Sequence, residues 1–170
     1  MIGDTLSTLL VTGGGRGIGA ATARLAAARG YAVCVNYRSD ETAAQSVVDG
    51  IRAAGGSALA VRADISSETE VVTLFDAAER ALGPLRGLVN NAGILSQQMC
   101  LADMEVERLE RVFAVNVIGA LVCAREAVRR MAISRGGGGG GIVNVSSAAA
   151  RLGGAGEYVD YAASKGAMDT

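Results

Sequence analysis

Thr8-Leu9-Leu10-Val11-Thr12-Gly13-Gly14-Gly15-Arg16-Gly17-Ile18-Gly19 decides how the rest of this 170-residue chain is read. Leu9 to Val11 is a short apolar run suited to a strand. Glycines then fill a turn, and Ala20 to Ala28 supplies a helix built of small residues. Strand, glycine turn and helix in that order form a cradle for a phosphate. The first N–H groups of a helix lack partners inside it, and the helix dipole favours an anion there. Glycine lets the backbone approach a pyrophosphate with no Cβ in the way. Gly15-Arg16-Gly17-Ile18-Gly19-Ala20 also fits the dinucleotide pattern G-x-G-x-x-G/A. A plain βα turn without a ligand is the competing reading.

Composition bounds what surrounds this turn. The length suits one domain over residues 1–170. Half of the chain is apolar, with one Pro, no Trp and few aromatics, which fits a core of Ala, Val, Leu and Ile in a parallel sheet between helices. A net charge of −1 gives no basic face for nucleic acid. The absence of histidine excludes Ser-His-Asp and Cys-His catalysis and histidine metal sites. Cys34, Cys100 and Cys123 are scattered, form no C-x-x-C pair and read as buried free thiols of a reducing compartment. The N-terminus lacks a basic stretch followed by an apolar one, and no run reaches membrane-spanning length. The expectation is a cytoplasmic protein that binds no metal and no membrane.

Beyond the first helix the elements alternate. Ala32–Asn36 reads as a strand, and Ser39–Ala54 as a helix with Ser39 or Asp40 as N-cap and Gly55 as stop. Ser57–Arg62 is a third strand. Ser67-Glu68-Thr69-Glu70 is a capping box opening a helix to Ala81. Leu88–Asn90 is a fourth strand, and Ala102–Arg135 a long helix with a break near its start. Six glycines, Gly136–Gly141, connect it to a fifth strand at Ile142–Ser146. A last helix begins near Tyr158. The pattern predicts an α/β fold with a doubly wound parallel sheet in a three-layer arrangement.

Ligands of such sheets bind outside the carboxyl ends of the strands. After the second strand come Asn36, Tyr37 and Arg38, with no carboxylate for a ribose 2′-OH. Arg38 and Arg16 instead suit a 2′-phosphate, so the expected cofactor is NADP rather than NAD. Solvated arginines are the alternative. Asp64 and Ile65 follow the third strand, Asn90-Asn91-Ala92-Gly93 the fourth, and Ser146-Ser147 the fifth. Lys165 is the chain's only lysine, and it stands four residues after Tyr161, on the same helical face. A nearby cation favours the ionised form of a phenol. A surface pair on an amphipathic helix is the other reading.

Taken together, these residues resemble the short-chain dehydrogenases/reductases. Thr12-Gly13-x-x-x-Gly17-x-Gly19 is similar to that family's cofactor turn, Asn90-Asn91-Ala92-Gly93 to its segment after strand four, and Asn116, Ser147, Tyr161 and Lys165 to its catalytic set. The resemblance implies a Rossmann fold and hydride transfer between NADP and an alcohol or ketone, of a sugar or 3-oxoacyl type. It implies Tyr161 as general acid/base, Lys165 on the nicotinamide ribose and Ser147 on the substrate oxygen. Asn116 would hold a water that relays protons. Gly13, Gly15, Arg16, Gly17, Ile18, Gly19, Asn36, Tyr37, Arg38, Asp64, Ile65, Asn90, Ala92, Gly93, Tyr161 and Lys165 would contact the cofactor. Asp64 and Ile65 would flank the adenine, and Asn90 its ribose.

Ser147 and Tyr161 are 14 positions apart, slightly more than the commonest family spacing, and Ser146 is a rival for the serine. Tyr158 is a decoy for the tyrosine, since Ala162 stands four after it. Family members also continue past this point with two more strands and a substrate-covering segment. An incomplete domain is therefore expected, with its fifth strand as an open edge. A homodimer or homotetramer would form through Asp103–Arg130 and the tyrosine helix. The competing functions are a nucleotide-binding module that does not turn over, a methyltransferase on a similar sheet, and an extended-type sugar epimerase. A methyltransferase would want an acid where Asn36 stands and has no use for Tyr161 and Lys165. An epimerase would space the glycines as TGxxGxxG.

Overall fold

A computed structural model describes residues 7–170. The expectation that the N-terminus carries no leader falls partly on residues 1–6, outside the described residues. Five parallel strands, β1 (Thr8–Val11), β2 (Ala32–Tyr37), β3 (Ala58–Arg62), β4 (Leu85–Asn90) and β5 (Gly141–Asn144), lie in the order β3-β2-β1-β4-β5. The register pairs Leu9 with Val33 and Gly87, and Val11 with Val35 and Val89.

Side chains alternate across a strand with period two, and β1, β2 and β4 are buried on both faces, whereas β5 at the edge is largely exposed. Leu10, Cys34 and Leu88 belong to one core, with Val71, Leu74 and Phe75 of α3 (Glu68–Leu82) and Cys123 and Ala127 of α5 (Ala120–Met131). Val11, Val33, Val35 and Val89 belong to the other. Ala20 and Ala23 of α1 (Gly17–Ala28) and Val47, Val48 and Ile51 of α2 (Glu41–Ala53) complete it. Helices on both faces make the three layers. Small residues on α1 let it lie close to the sheet.

The expected long helix is divided. A 3₁₀ turn at Leu101–Asp103 precedes α4 (Val106–Phe113), a π-helical stretch at Ala114–Gly119 joins it to α5, and a 3₁₀ turn at Ile133–Arg135 follows. At Gly119 the helix touches the loop after β3 so closely that a Cβ would lie 2.7 Å from Ile65 O. A short helix α6 (Ala149–Leu152), not foreseen, precedes α7 (Val159–Asp169). Asp40 is the cap of α2, accepting from Ala43 N at 3.0 Å.

The capping box forms by half. Ser67 Oγ accepts from Glu70 N at 3.4 Å, but the Glu70 carboxylate accepts from Asp64 N at 2.9 Å instead of closing on Ser67. The strand after the glycine run is shorter than read, and it forms one edge of the sheet. Cys34 and Cys123 are buried, and burial pushes both thiols up to about 12. Cys100 corrects the expectation of three buried thiols. It stands exposed at the end of the long loop after β4.

Candidate functional site

The strand order reverses direction at β1, where β2 lies on one side and β4 on the other. Connections leave in opposite directions there and open a crevice at the carboxyl edge. A cleft of about 330 Å³ occupies that place. Gly13, Gly15 and Arg16 line it from the first turn, and Asn36, Tyr37 and Arg38 from the end of β2. Asp64 and Ile65 come from the end of β3, and Ala92 and Gly93 from the end of β4. Ser39, Asp40, Ala43, Ala63, Asn91, Ile94 and Val115 line it too and had not been singled out as contacts. The Asn-Asn-Ala-Gly motif and the capping residues of α2 were the only signals for them. Gly17, Ile18, Gly19, Asn90, Asn116, Ser147, Tyr161 and Lys165 are not among its lining residues.

Thr12 is the anchor of the turn. Its hydroxyl donates to Val89 O and accepts from Asn91 N and Ala92 N, both at 3.0 Å. Asn91 Nδ2 donates back to Thr12 O and Gly13 O at 2.9 and 3.1 Å. Gly13 has φ +60°, and a Cβ there would lie 3.0 Å from Ala92 Cα. At Gly19 a Cβ would lie 2.5 Å from both Asn91 Nδ2 and Gly13 O, so a side chain would push α1 off the turn. Gly17 has φ +53°, and a Cβ there would meet nothing within 4 Å. Helix α1 starts beside that open space with no side-chain cap and no acidic residue in its first turn. Free N–H groups facing an open cradle fit a pyrophosphate.

Asn36 is committed elsewhere. Its Oδ1 accepts from Gly13 N at 3.3 Å, and its Nδ2 donates to Ala63 O at 3.0 Å and to Tyr37 O and Val61 O. It therefore ties the glycine turn to β3. Arg38 is loosely held, with a side chain 59% exposed and a long ion pair of 3.7 Å from Nη1 to Asp64 Oδ2. Asp64 also accepts from Ser66 N and Oγ. Burial would raise its carboxyl, but the Ser66 hydrogen bonds and the charges of Arg38 and Arg62 outweigh that and hold it below the ordinary range. Burial and the Glu41 carboxylate push the Tyr37 phenol up. Asn90 points to the other face of the sheet, where its Nδ2 donates to Ala120 O and Asn144 Oδ1 at 3.1 Å. Its Oδ1 is buried without a partner.

A second group adjoins the cleft. Lys165 is buried, and its ammonium donates to Val145 O at 2.7 Å. It also lies 5.8 Å from the centre of the Tyr161 ring. Desolvation holds the Lys165 ammonium below its ordinary range, with Asp169 opposing. Asn116 sits in the π-helical stretch and is buried. Its Oδ1 accepts from Ile94 N at 2.7 Å, and its Nδ2 donates to Ile94 O and Ser164 Oγ at 3.0 Å. Ser147 Oγ accepts from Ala149 N at 3.2 Å, which leaves its own hydrogen to donate. Ser146 Oγ, the rival, donates to the backbone of Lys165 at 3.4 Å.

Gly93 joins the two groups. It lines the cleft, and a Cβ on it would come within 3.3 Å of Asn116 Oδ1 and 3.8 Å of Lys165 Nζ. Gly93 thus stands between the cleft and the buried ammonium of Lys165.

The model of the short chain dehydrogenase family matches residues 7–170. A protein of Escherichia coli (strain K12) named uncharacterized oxidoreductase YgfF is 56% identical over 165 residues, covering 97% of this chain and 67% of that protein. Elsinochrome reductase 1 of Elsinoe fawcettii is 41% identical over 161 residues, covering 95% of this chain and 58% of that one. A short chain dehydrogenase of Burkholderia cenocepacia J2315, solved in complex with NADP, superposes with a TM-score of 0.85 at 36% identity. That match covers 95% of this chain and 64% of that one. A dehydrogenase/reductase of Sinorhizobium meliloti 1021 gives a TM-score of 0.86 at 36% identity, covering 95% and 62%. The chain thus spans about three fifths to two thirds of the length of these proteins. Doubly wound sheet, glycine turn, Asn-Asn-Ala-Gly segment and Tyr-x-x-x-Lys helix agree with that family match, and the chain belongs to the short-chain dehydrogenases/reductases.

Proposed function

We propose that the chain is an NADP-dependent oxidoreductase that interconverts alcohols and ketones. The observation that carries this reading is that Gly93 both lines the cleft and lies beside the buried ammonium of Lys165. Gly13, Gly15 and the start of α1 would hold the pyrophosphate, and Gly93 and Lys165 the nicotinamide ribose. Arg38 would turn from Asp64 to the 2′-phosphate, since the ion pair it leaves is long and exposed. Arg16 would help from the opposite lip. The NADP in the Burkholderia cenocepacia structure supports this preference.

Bound NADPH supplies a hydride to the substrate carbon. The chain's own residues manage the oxygen. The Ser147 hydroxyl donates to the carbonyl, and the Tyr161 phenol gives up its proton as the oxygen gains negative charge. Lys165, with donors left after its bond to Val145 O, steadies the phenolate that remains. The side chain of Asn116 is fully engaged with Ile94 and Ser164, so a relay water would be held by its backbone, in the π-helical stretch.

Sugars and 3-oxoacyl chains are the proposed substrates. Relatives named probable tetrahydroxynaphthalene reductase and versicolorin reductase add polyhydroxylated aromatic compounds and their keto forms to the candidates. Free thiols at Cys34, Cys100 and Cys123 suit a reducing compartment such as the cytoplasm. Exposed Ile118, Leu121 and Val128 support self-association through the π stretch and α5. The second reading is a module that binds nucleotide without turnover, favoured by a cleft lined without Ser147, Tyr161 or Lys165. NADPH oxidation against a panel of sugars, 3-oxoacyl and aromatic ketones, run beside NADPH binding by fluorescence, separates the two. Turnover that Tyr161→Phe abolishes supports the oxidoreductase. Binding with no turnover on any ketone supports the module.

A further inference from the structure

A buried ion pair outside the cleft joins Arg108 of α4 to Asp160 of α7. Arg108 Nε lies 2.8 Å from Asp160 Oδ2, and Nη2 lies 3.3 Å from Oδ1. The side chains are 9% and 1% exposed. Neither residue belongs to a motif of the cofactor turn or the Tyr-x-x-x-Lys pair. The pair reaches further on both sides. Arg108 Nη1 donates to Gln97 O at 2.6 Å, in the loop that follows β4. Asp160 Oδ1 accepts from the backbone N–H of Tyr161 at 2.9 Å. Two more bonds fasten the same loop to the segment before α7, from Met99 N to Glu157 O and from Gln98 Nε2 to Glu157 Oε1.

Stability alone does not account for such a pair, because apolar residues of similar volume in place of a buried ion pair are often as stable or more so. A bidentate guanidinium–carboxylate contact fixes orientation instead, through its planar fork. Here the fork meets the first turn of α7, which lacks a side-chain cap from Tyr158. The carboxylate that receives the fork also holds the N–H of the tyrosine that follows it.

We propose that Arg108 and Asp160 are positioning residues, whose ion pair sets the Tyr161 phenol relative to the loop carrying Ile94–Met99. The proposal rests on the oxidoreductase reading for its effect on turnover, and on geometry alone for its effect on Tyr161.

The test uses the whole chain carrying Arg108→Met, Arg108→Lys or the neutral pair Arg108→Met/Asp160→Leu. The neutral pair guards against a variant that merely fails to fold. Fluorotyrosine replaces the four tyrosines, and Tyr161→Phe assigns the fluorine signal of Tyr161. In Arg108→Met, kcat should fall about 100-fold, the scale of a misplacement near 1 Å. KM and the NADPH dissociation constant should change less than about threefold, and Arg108→Lys should recover part of the loss, since it restores charge without the fork. The Tyr161 fluorine signal should move in Arg108→Met and in the neutral pair, while those of Tyr31 and Tyr37 stay in place. A folded Arg108→Met/Asp160→Leu variant with unchanged kcat and an unmoved Tyr161 signal overturns the proposal. If the unaltered chain reduces no ketone, the oxidoreductase reading fails, and the fluorine signal alone decides: moved supports positioning, unmoved overturns it.

Discussion

Lys165 and Tyr161 share a face of α7 because they are four residues apart on a helix, and the loop at Gly93 meets that face because no side chain intervenes. Removing the phenolic hydroxyl by Tyr161→Phe should lower turnover by about 100- to 10,000-fold, as for loss of a general acid. NADPH affinity should stay within about threefold, measured by cofactor fluorescence. Gly19→Ala tests the packing of the turn. Its Cβ would lie 2.5 Å from backbone Gly13 O, which cannot swing aside, so a loss of about 2 kcal/mol or more is expected in thermal or denaturant unfolding.

At this scale, residue types were readable and directions were not. Gly13, Gly15 and Arg38 line the cleft, as their places at the strand ends foretold. Asn36 and Asn90 also fell at strand ends, but a strand sends successive side chains to opposite faces. Asn90 shares the face of Leu88 and meets α5, while Asn91 turns toward the glycine turn. Nothing in the spacing of the motif distinguished them. Arg108 and Asp160 lie 52 residues apart, and only the fold brings them together.

Among the elements, α3 and α5 are joined by charge. Glu126 is buried and accepts from Arg125, Arg129 and Arg130 at 3.2, 2.7 and 2.6 Å. Arg130 reaches on to Asp76 and Glu79 of α3 and stacks 5.2 Å from the Phe75 ring. Burial would raise the Glu126 carboxyl, but hydrogen bonds from Arg130 and Arg129 outweigh it and hold the group below its ordinary range. Glu126→Ala should cost about 2 kcal/mol in chemical denaturation, less than a fully buried pair because Arg125 and Arg129 remain partly solvated.

Carboxyls held low by hydrogen bonds and arginines set a pH dependence. A carboxyl whose folded value is depressed contributes stability above its unfolded value and loses that contribution as pH falls through the folded one. Asp64, Glu126 and Asp160 are all held low. These groups should leave the thermal midpoint nearly level between pH 7 and about 5, and lower it steeply below about 4. A scan of the midpoint against pH checks this, and in Glu126→Gln the slope on the acid side should be shallower. Hydrophobic periodicity located the helices well, but it gave no warning of the π-helical stretch. That irregularity lies where Asn116 and Gly119 meet Ile94 and Ile65, contacts between segments that only the fold brings together.

For the whole molecule, alternating strands and helices foretold the layers, and the strand order then follows from crossover connections. The cleft is a property of that order. No single element contains it: β1, β2, β3 and β4 each bring one end, and the turn before α1 brings Gly13, Gly15 and Arg16. On the reading proposed above, selectivity for NADP would come from Arg38, which stands where a carboxylate would prefer an unphosphorylated ribose. A charge-assisted hydrogen bond to the 2′-phosphate is worth about 1.5–3 kcal/mol, or roughly 10- to 100-fold in affinity. The most direct measurement is therefore a pair of fluorescence titrations of the unaltered chain, one with NADPH and one with NADH, repeated on Arg38→Ala. The expected result is NADPH tighter by at least about tenfold, with most of that difference lost in the variant. Equal affinities in the unaltered chain, or no binding of either nucleotide, would contradict the cleft as a site for NADP.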